Sequence, residues 1–374
     1  MQSRGLSFYI WLIFAVGIGS VLFHGLGLFS AVPWQIVYSD VLGFFDRAVA
    51  TGFPYLEKQI EYPVITGLLI HWFGQLGQTK AAYYLLSAAA LVGMGIFTTY
   101  VLFKSVPESH RRQLLRYWIF APSMLIFFVY NWDMIALLFV ICAFYFMQRN
   151  EDGWAAVFLA LGFSSKFFPA LYLLPLLLRH QQIKEWIKII VIFSGMALAI
   201  NGFFLIRNFG GWYYFFSLNQ LRGSNLDSIW TVIRFLFPSF EDVSRINAAS
   251  LIIFLAGLGY LLWRHRRSNT IALCAAITVV FLLTNKVFTP QYLLWLLPFF
   301  IILPEPKRFW FYAAEFANLG ALFAALAWFF NGKSINYFYI TGIFVVVRHI
   351  ALFSLLRHFL SVKSIAIFKE AAGQ

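Results

Sequence analysis

The sequence predicts an all-α polytopic membrane protein, and three observations carry that prediction. Of the 374 residues, 61% are hydrophobic and 11% are charged. Soluble domains carry roughly 25% charged residues, so this chain has too few polar groups to cover a surface facing water. The apolar residues come in long continuous runs, whereas a membrane β-barrel alternates with period two over short segments. The mean hydropathy is +0.77, as expected when successive segments are candidate spans. No stretch reads as a separate soluble domain, so residues 1–374 are read as a single transmembrane domain.

The net charge of +13 does not indicate nucleic acid. Lys and Arg cluster in short loops between apolar runs, the pattern that sets membrane topology; the partner this implies is the lipid bilayer. Cys142 and Cys274 sit inside apolar spans without metal-ligand spacing, and no disulfide is expected. Residues 8–29 are too long for a signal-peptide core and lack a small-residue cleavage pattern. They read as a retained first span.

Taken in order, span one covers about 8–28, with Arg4 on its cytoplasmic flank. The first outer loop, 30–79, holds Asp40, Asp46, Glu57 and Glu61, four of only fifteen acids in the chain. Within it, 41–51 reads as a short amphipathic interfacial helix with Ser39 or Asp40 as N-cap. Residues 63–76 form a second short apolar helix, also placed in the interface. Span two, about 80–103, ends at Lys104 and the cytoplasmic cluster His110, Arg111, Arg112 and Arg116. Spans three to six follow at about 114–129, 134–148, 153–164 and 169–178, the last two short enough to be tilted or half-length. Span seven is 187–206, and a long outer loop runs through 207–245. Span eight, 246–263, ends at Arg264-His265-Arg266-Arg267, and span nine is 270–284. Span ten returns to Lys307 and Arg308, and spans eleven and twelve, 309–329 and 337–356, finish at Arg357, Lys363 and Lys369. The expectation is about twelve transmembrane helices with both termini cytoplasmic. Basic loops alone define this topology, and it places Asp40, Glu61, Asp133, Lys166, Arg207, Arg222, Lys286 and Gln291 on one, outer side.

Several of these residues invite chemistry, each beside a plainer role. Asp40 follows an aromatic-rich segment (Trp34, Tyr38); a partly desolvated carboxylate there is either a general base or a helix cap. Glu61-Tyr62-Pro63 either opens the next helix, with Glu61 favouring its positive end, or faces the same cavity as Asp40. Asn131-Trp132-Asp133 is either a turn with an N-cap or a set of partners for sugar hydroxyls. Asp46 and Glu57 are assigned to solvent or interface. Lys166 and Lys286 interrupt apolar stretches away from the basic clusters. A cation so placed is a functional hypothesis by default, with phosphate as its natural partner; the plainer reading is snorkelling to the interface. Arg207 and Arg222 would complete such a clamp. His24, His71 and His349 lack ligand spacing, and no Cys/His metal pattern, phosphate-cradling glycine motif or Gly-x-Ser-x-Gly is present.

An acid in the first outer loop, an amphipathic helix, Tyr62-Pro63, Asn131-x-Asp133, Lys166-x-x-Pro169 and Lys286-x-x-x-Pro290-Gln291-Tyr292 together resemble the GT-C superfamily of membrane glycosyltransferases. The chain is most similar to glycosyltransferase family 87, the polyprenyl-phosphate-mannose-dependent mannosyltransferases. The resemblance implies a GT-C fold and Asp40 as the catalytic carboxylate of the first outer loop, a general base in an inverting transfer. It implies Lys166, Lys286, Arg207 and Arg222 on the donor phosphate. Glu61, Tyr62, Asn131, Asp133, Asn225 (with Ser228) and Gln291 are implied on sugar or acceptor. Its implied partners are a polyprenyl-phosphate sugar donor and a glycolipid or glycan acceptor. Its implied setting is the plasma (inner) membrane, multi-pass, with the site facing the extracytoplasmic side. No cofactor is implied. Asp40 lacks the Asp-x-Asp spacing of some relatives, which leaves metal dependence open. The rival reading is a transporter or flippase for a lipid-linked or anionic substrate; it would favour internal repeats, which the sequence does not display. A non-catalytic scaffold ranks last, because it gives no reason for acids and cations to share one side.

Overall fold

The structure is a computed structural model and describes residues 5–29 and 34–362. Arg4, Pro33, Lys363 and Lys369 lie outside the described residues, as does the side chain of Trp34. Helices dominate; the β-structure among the described residues is one isolated bridge, Pro54 to Lys58. Among the described residues, six helices are long and apolar enough to cross a membrane: α1 (Leu6–Gly25), α5 (Lys80–Ser105), α8 (Ile183–Arg207), α11 (Val243–Arg264), α13 (Arg308–Phe330) and α14 (Ile335–Ser361). The others bearing on the site are α2 (Asp40–Gly43), α3 (Phe45–Val49), α4 (Val64–Gly77), α6 (Asp133–Gln148), α7 (Asp152–Phe163), α9 (Phe209–Leu221), α10 (Ile229–Leu236) and α12 (Thr270–Thr284). The protein is an integral, multi-pass, all-α membrane protein, as the apolar runs predict.

Where the expected spans were short, the backbone has reasons. Span six begins as a 3₁₀ turn, Phe168–Tyr172, around Pro169, and span ten as Pro290–Leu296 around Pro290; proline lacks the N–H that an α-helix interior needs. Span three is broken into Arg111–Leu114, a π-turn over Leu115–Ile119 and Pro122–Phe127. The 41–51 stretch is two short helices, α2 and α3, with Phe44 between them. Ser39, not Asp40, is the N-cap of α2, accepting the Val41 N–H at 3.2 Å.

The described residues divide into two compact units, those up to 120 with 124–219, and 121–123 with those from 220 to 362. In the first unit α1 packs on α5, α5 on α6, α6 on α7 and α7 on α8. The face α1 buries is Tyr9, Ile13, Gly17, Ser20 and His24, one stripe at helical spacing. In the second unit α13 packs on α14, and α12 lies against both α11 and α14. Burial sorts the helices. α12 buries nearly every side chain from Ile271 to Leu282, whereas α11 leaves Leu251, Ile252, Ile253 and Leu255 exposed. Apolar faces of this kind belong against lipid.

The first loop is held to α4 by absent side chains. A Cβ on Gly74 would lie 2.5 Å from the Ala48 carbonyl carbon, and one on Gly67 1.8 Å from the Tyr55 hydroxyl. That hydroxyl donates to the Tyr62 carbonyl at 2.8 Å. Lys58 then donates to the carbonyls of Arg47, Ala48 and Ala50 at 3.1, 3.4 and 2.7 Å, closing the C-terminus of α3 with a cation where the helix dipole favours one. The core beneath is Tyr55, Ile60, Val64 and Phe204, with Trp212 packed against it. Gly74→Ala drives a methyl into backbone and is expected to cost roughly 1–3 kcal/mol, read as a lowered Tm in detergent; an unchanged Tm would mean that the loop is not seated by this contact.

Candidate active site

Four segments of the first unit meet around Asp40: 38–40, 61–64, 130–133 and 164–166. Ser39 fixes the first of them. Its hydroxyl lies 3.3 and 3.1 Å from the carbonyls of Val129 and Tyr130, and the Val41 N–H reaches the Tyr130 carbonyl at 3.4 Å. α2 is thereby docked on the turn before α6. His24 braces the same region, its ring nitrogens 3.0 Å from the Val37 carbonyl and 2.8 Å from that of Ile126.

Each oxygen of the Asp40 carboxylate then finds a neutral donor. The Tyr38 hydroxyl donates to Oδ1 at 2.8 Å, and the Asn131 Nδ2 donates to Oδ2 at 2.6 Å. Asn131 is itself oriented, because its Oδ1 accepts the Trp132 N–H at 2.5 Å, and the Tyr62 hydroxyl lies 3.0 Å from its Nδ2 and 3.2 Å from its Oδ1. Phe44, Tyr62 and Trp132 wall this group with mutual edge-on contacts, centroids 5.2–5.4 Å apart. Burial pushes the Asp40 carboxyl above the usual aspartate range. The bonds from Tyr38 and Asn131 and the charge of Lys166 pull it back, and Asp133 adds to the rise. The Tyr38 phenol is likewise pushed up by burial and by the neighbouring Asp40 charge.

Lys166 does not snorkel. Its Nζ lies 2.6 Å from Asp133 Oδ1, in a pair whose side chains are 12% and 1% exposed. Asp133 opens α6, where the helix N-terminus favours a carboxylate. Lys166 is placed by the end of α7. The Ser164 carbonyl accepts the Ile65 N–H at 2.8 Å, and the Ser165 carbonyl accepts the Thr66 hydroxyl at 2.8 Å, so α7 satisfies the first turn of α4. Glu61 pairs with Arg47 at 3.0 Å, and that guanidinium lies 4.6 Å from the Phe44 ring centre.

The other expected residues lie on other segments. Arg207, at the end of α8, is exposed. In the second unit Lys286 is buried and donates to the carbonyls of Gln220 and Arg222 at 3.1 and 2.7 Å. Its own carbonyl accepts the Asn225 N–H at 3.1 Å, and Asn225 Oδ1 accepts from Arg222 at 3.1 Å. Burial and the charge of Arg222 pull the Lys286 ammonium down. Gln291 is buried in the 3₁₀ turn, and Ser228 is the N-cap of α10. The described residues contain no group of three or more His, Cys, Asp or Glu able to hold a metal ion.

Sequence reasoning missed Tyr38 as a carboxylate partner, and it missed Lys58, Asp227 and Arg348. Arg348 carried a usable signal: a lone guanidinium in the middle of an apolar span.

A half-buried, doubly hydrogen-bonded carboxylate among aromatics, in the first loop of a multi-pass helical chain, is a candidate site for chemistry on polar substrates. Comparison with known proteins makes the class definite. The sequence profile of glycosyltransferase family 87 matches residues 61–290, and the chain belongs to that family; it is a glycosyltransferase. The match takes in Tyr62, Asn131, Asp133, Lys166, Asn225 and Lys286, and starts after Asp40. GPI mannosyltransferase 1 of Kluyveromyces lactis is 24% identical over 302 residues, 74% of each chain. Family membership favours group transfer over the transporter reading.

The ion pair sets a stability expectation. Lys166→Met leaves Asp133 without its buried cation and should cost roughly 3–5 kcal/mol. Lys166→Met with Asp133→Asn should recover most of that, as read by thermal unfolding; equal loss in both would show that the pair is not the source.

Proposed function

We propose that this protein transfers a mannosyl group from a polyprenyl-phosphate donor to a hydroxyl of a glycolipid or glycan on the extracytoplasmic face of the plasma membrane. Asp40 serves as general base in a single inverting displacement. The observation that carries the proposal is the Asp40 carboxylate itself, raised by burial and held at each oxygen by Tyr38 and Asn131. The acceptor oxygen forms a bond to the anomeric carbon and its proton passes to Asp40. The bond from that carbon to the phosphate oxygen breaks, and the lipid phosphate leaves with the electron pair. A base whose pKa approaches the working pH performs this step best. The name of the Kluyveromyces lactis relative supports mannose as the sugar, and no resident cofactor is invoked.

The cations take different parts in this reading. Lys166, neutralised by Asp133, keeps the surroundings of Asp40 electrically balanced. Arg222 and Lys286 are two cations in one loop cluster, lined by carbonyls and the Asn225 amide. Such a cluster asks for an anion, and we assign it the phosphate of the lipid donor. Tyr62, Asn131 and Asp133 are assigned to sugar or acceptor hydroxyls. Tyr55, Phe163, Phe167, Trp212, Phe215 and Phe216 line a shallow depression of about 10 Å³, and we assign its aromatic wall to the lipid chain of the donor.

Single-turnover transfer from radiolabelled polyprenyl-phosphate mannose, with a panel of glycolipid acceptors, tests this. Asp40→Asn should bind donor normally and lose at least about a hundredfold in rate; turnover equal to wild type would remove Asp40 from the base role. The pH profile is a second check. Asp40 acts ionised, so kcat/KM should fall as pH drops through its pKa, at a pH above the ~4 of an ordinary aspartate. Asn131→Ala removes a bond that favours the ionised form, which raises the pKa and moves the acid limb to higher pH. A limb that stays put or moves down would sink the assignment of Asn131.

A further inference from the structure

In the second unit one side chain stands out from its setting. Arg348, in the middle of α14, is 0% exposed. A guanidinium inside a membrane helix is costly unless it is paired, and both terminal nitrogens of this one are spent on backbone and amide partners. Its Nη1 donates to Asn318 Oδ1 at 2.8 Å, its Nη2 donates to the Asp227 carbonyl, and its guanidinium carbon lies 3.7 Å from the centre of the Phe288 ring. Asn318 in turn donates to the Pro290 carbonyl at 2.8 Å.

We infer that Arg348 is a positioning residue for donor binding: through Asp227, Phe288 and Asn318 it holds the 222–228 loop and the 285–291 segment in register, so that Arg222, Asn225, Lys286 and Gln291 are presented together. The chain of contacts is continuous. Asp227 is two residues from Asn225, whose N–H binds the Lys286 carbonyl. Phe288 is two residues from Lys286, and Pro290 precedes Gln291. Residues 222–228 have little helix of their own before α10, so their place is set by what grips them. The planar fork of arginine meets two acceptors at once while its face covers a ring, a combination lysine cannot reproduce. The Asp227 carboxyl, pushed up to about 6 by burial and drawn back by the Arg348 charge, lies in the same cluster.

This inference rests on the assignment of Lys286 and Arg222 to the donor phosphate, and the experiment keeps the two apart. The full chain in nanodiscs is assayed with polyprenyl-phosphate mannose, measuring donor KM, acceptor KM, kcat and Tm for Arg348→Lys, Asn318→Ala, Lys286→Met and Arg222→Met. Gly320→Ala is the control for plain destabilisation, because its Cβ would meet the Phe344 ring at 2.6 Å between α13 and α14. Arg348→Lys is expected to raise donor KM about tenfold, and Asn318→Ala less, with acceptor KM nearly unchanged. Gly320→Ala should lower Tm and leave donor KM alone. If Lys286→Met raises donor KM while Arg348→Lys and Asn318→Ala only lower Tm or kcat, Arg348 is structural and the inference is overturned. The same holds if Arg348→Lys does not fold and Asn318→Ala leaves donor KM unchanged. If neither Lys286→Met nor Arg222→Met moves donor KM, the phosphate assignment fails first and takes the inference with it.

Discussion

A charge set inside an apolar chain has to be given its partners by the chain itself, since lipid offers none. Most of this protein's polar architecture follows from that constraint. Asp40 takes two neutral donors, Lys166 takes a carboxylate, and Lys58 and Lys286 take backbone carbonyls. Arg348 takes an amide, a carbonyl and a ring face. The partner chosen decides what each charge can still do. A carboxylate bound by neutral donors keeps its negative charge available to a proton. A lysine facing a carboxylate is balanced by it. Lysines on carbonyls keep a net positive charge, held in a fixed place.

The same constraint links fold to site. The turn that carries Asn131 and Asp133 also supplies the carbonyls that seat Ser39, so the segment that bears Asp40 and the segment that orients it are one assembly. The end of α7 supplies carbonyls to the first turn of α4 and, one residue later, Lys166. Helix termini leave backbone groups unsatisfied, and here those groups dock against one another, with the candidate site side chains as their immediate neighbours.

Much of this was legible in the sequence, for reasons that differ by residue. Long apolar runs identify helices because hydropathy is a local property, and Pro169 and Pro290 mark the shortened ones. Asp40 drew attention because acids are scarce and its loop concentrates them. Its partners were not legible: Asn131 lies 91 positions away, and nothing local says which of two neighbouring polar residues, Asn131 or Asp133, turns towards Asp40. Lys166 and Lys286 looked alike, each a cation before aromatics and a proline, yet one meets a carboxylate and the other carbonyls. That difference exists only once helices pack. Arg348 obeyed the same rule that singled out the two lysines and was passed over because no motif surrounds it.

The glycines of α4 bear on how the site can change over time. Where Gly74 faces Ala48, backbone meets helix with no side chain between them, so the loop has no spacer whose length substitution could tune. Variation within the loop can therefore alter the aromatic wall around Asp40, through positions such as Phe44 and Tyr62, while the seat of the loop on α4 stays constant. A lineage that needed the loop set closer or further out would have to remake the helix rather than edit the loop, and divergence should accumulate in the wall first.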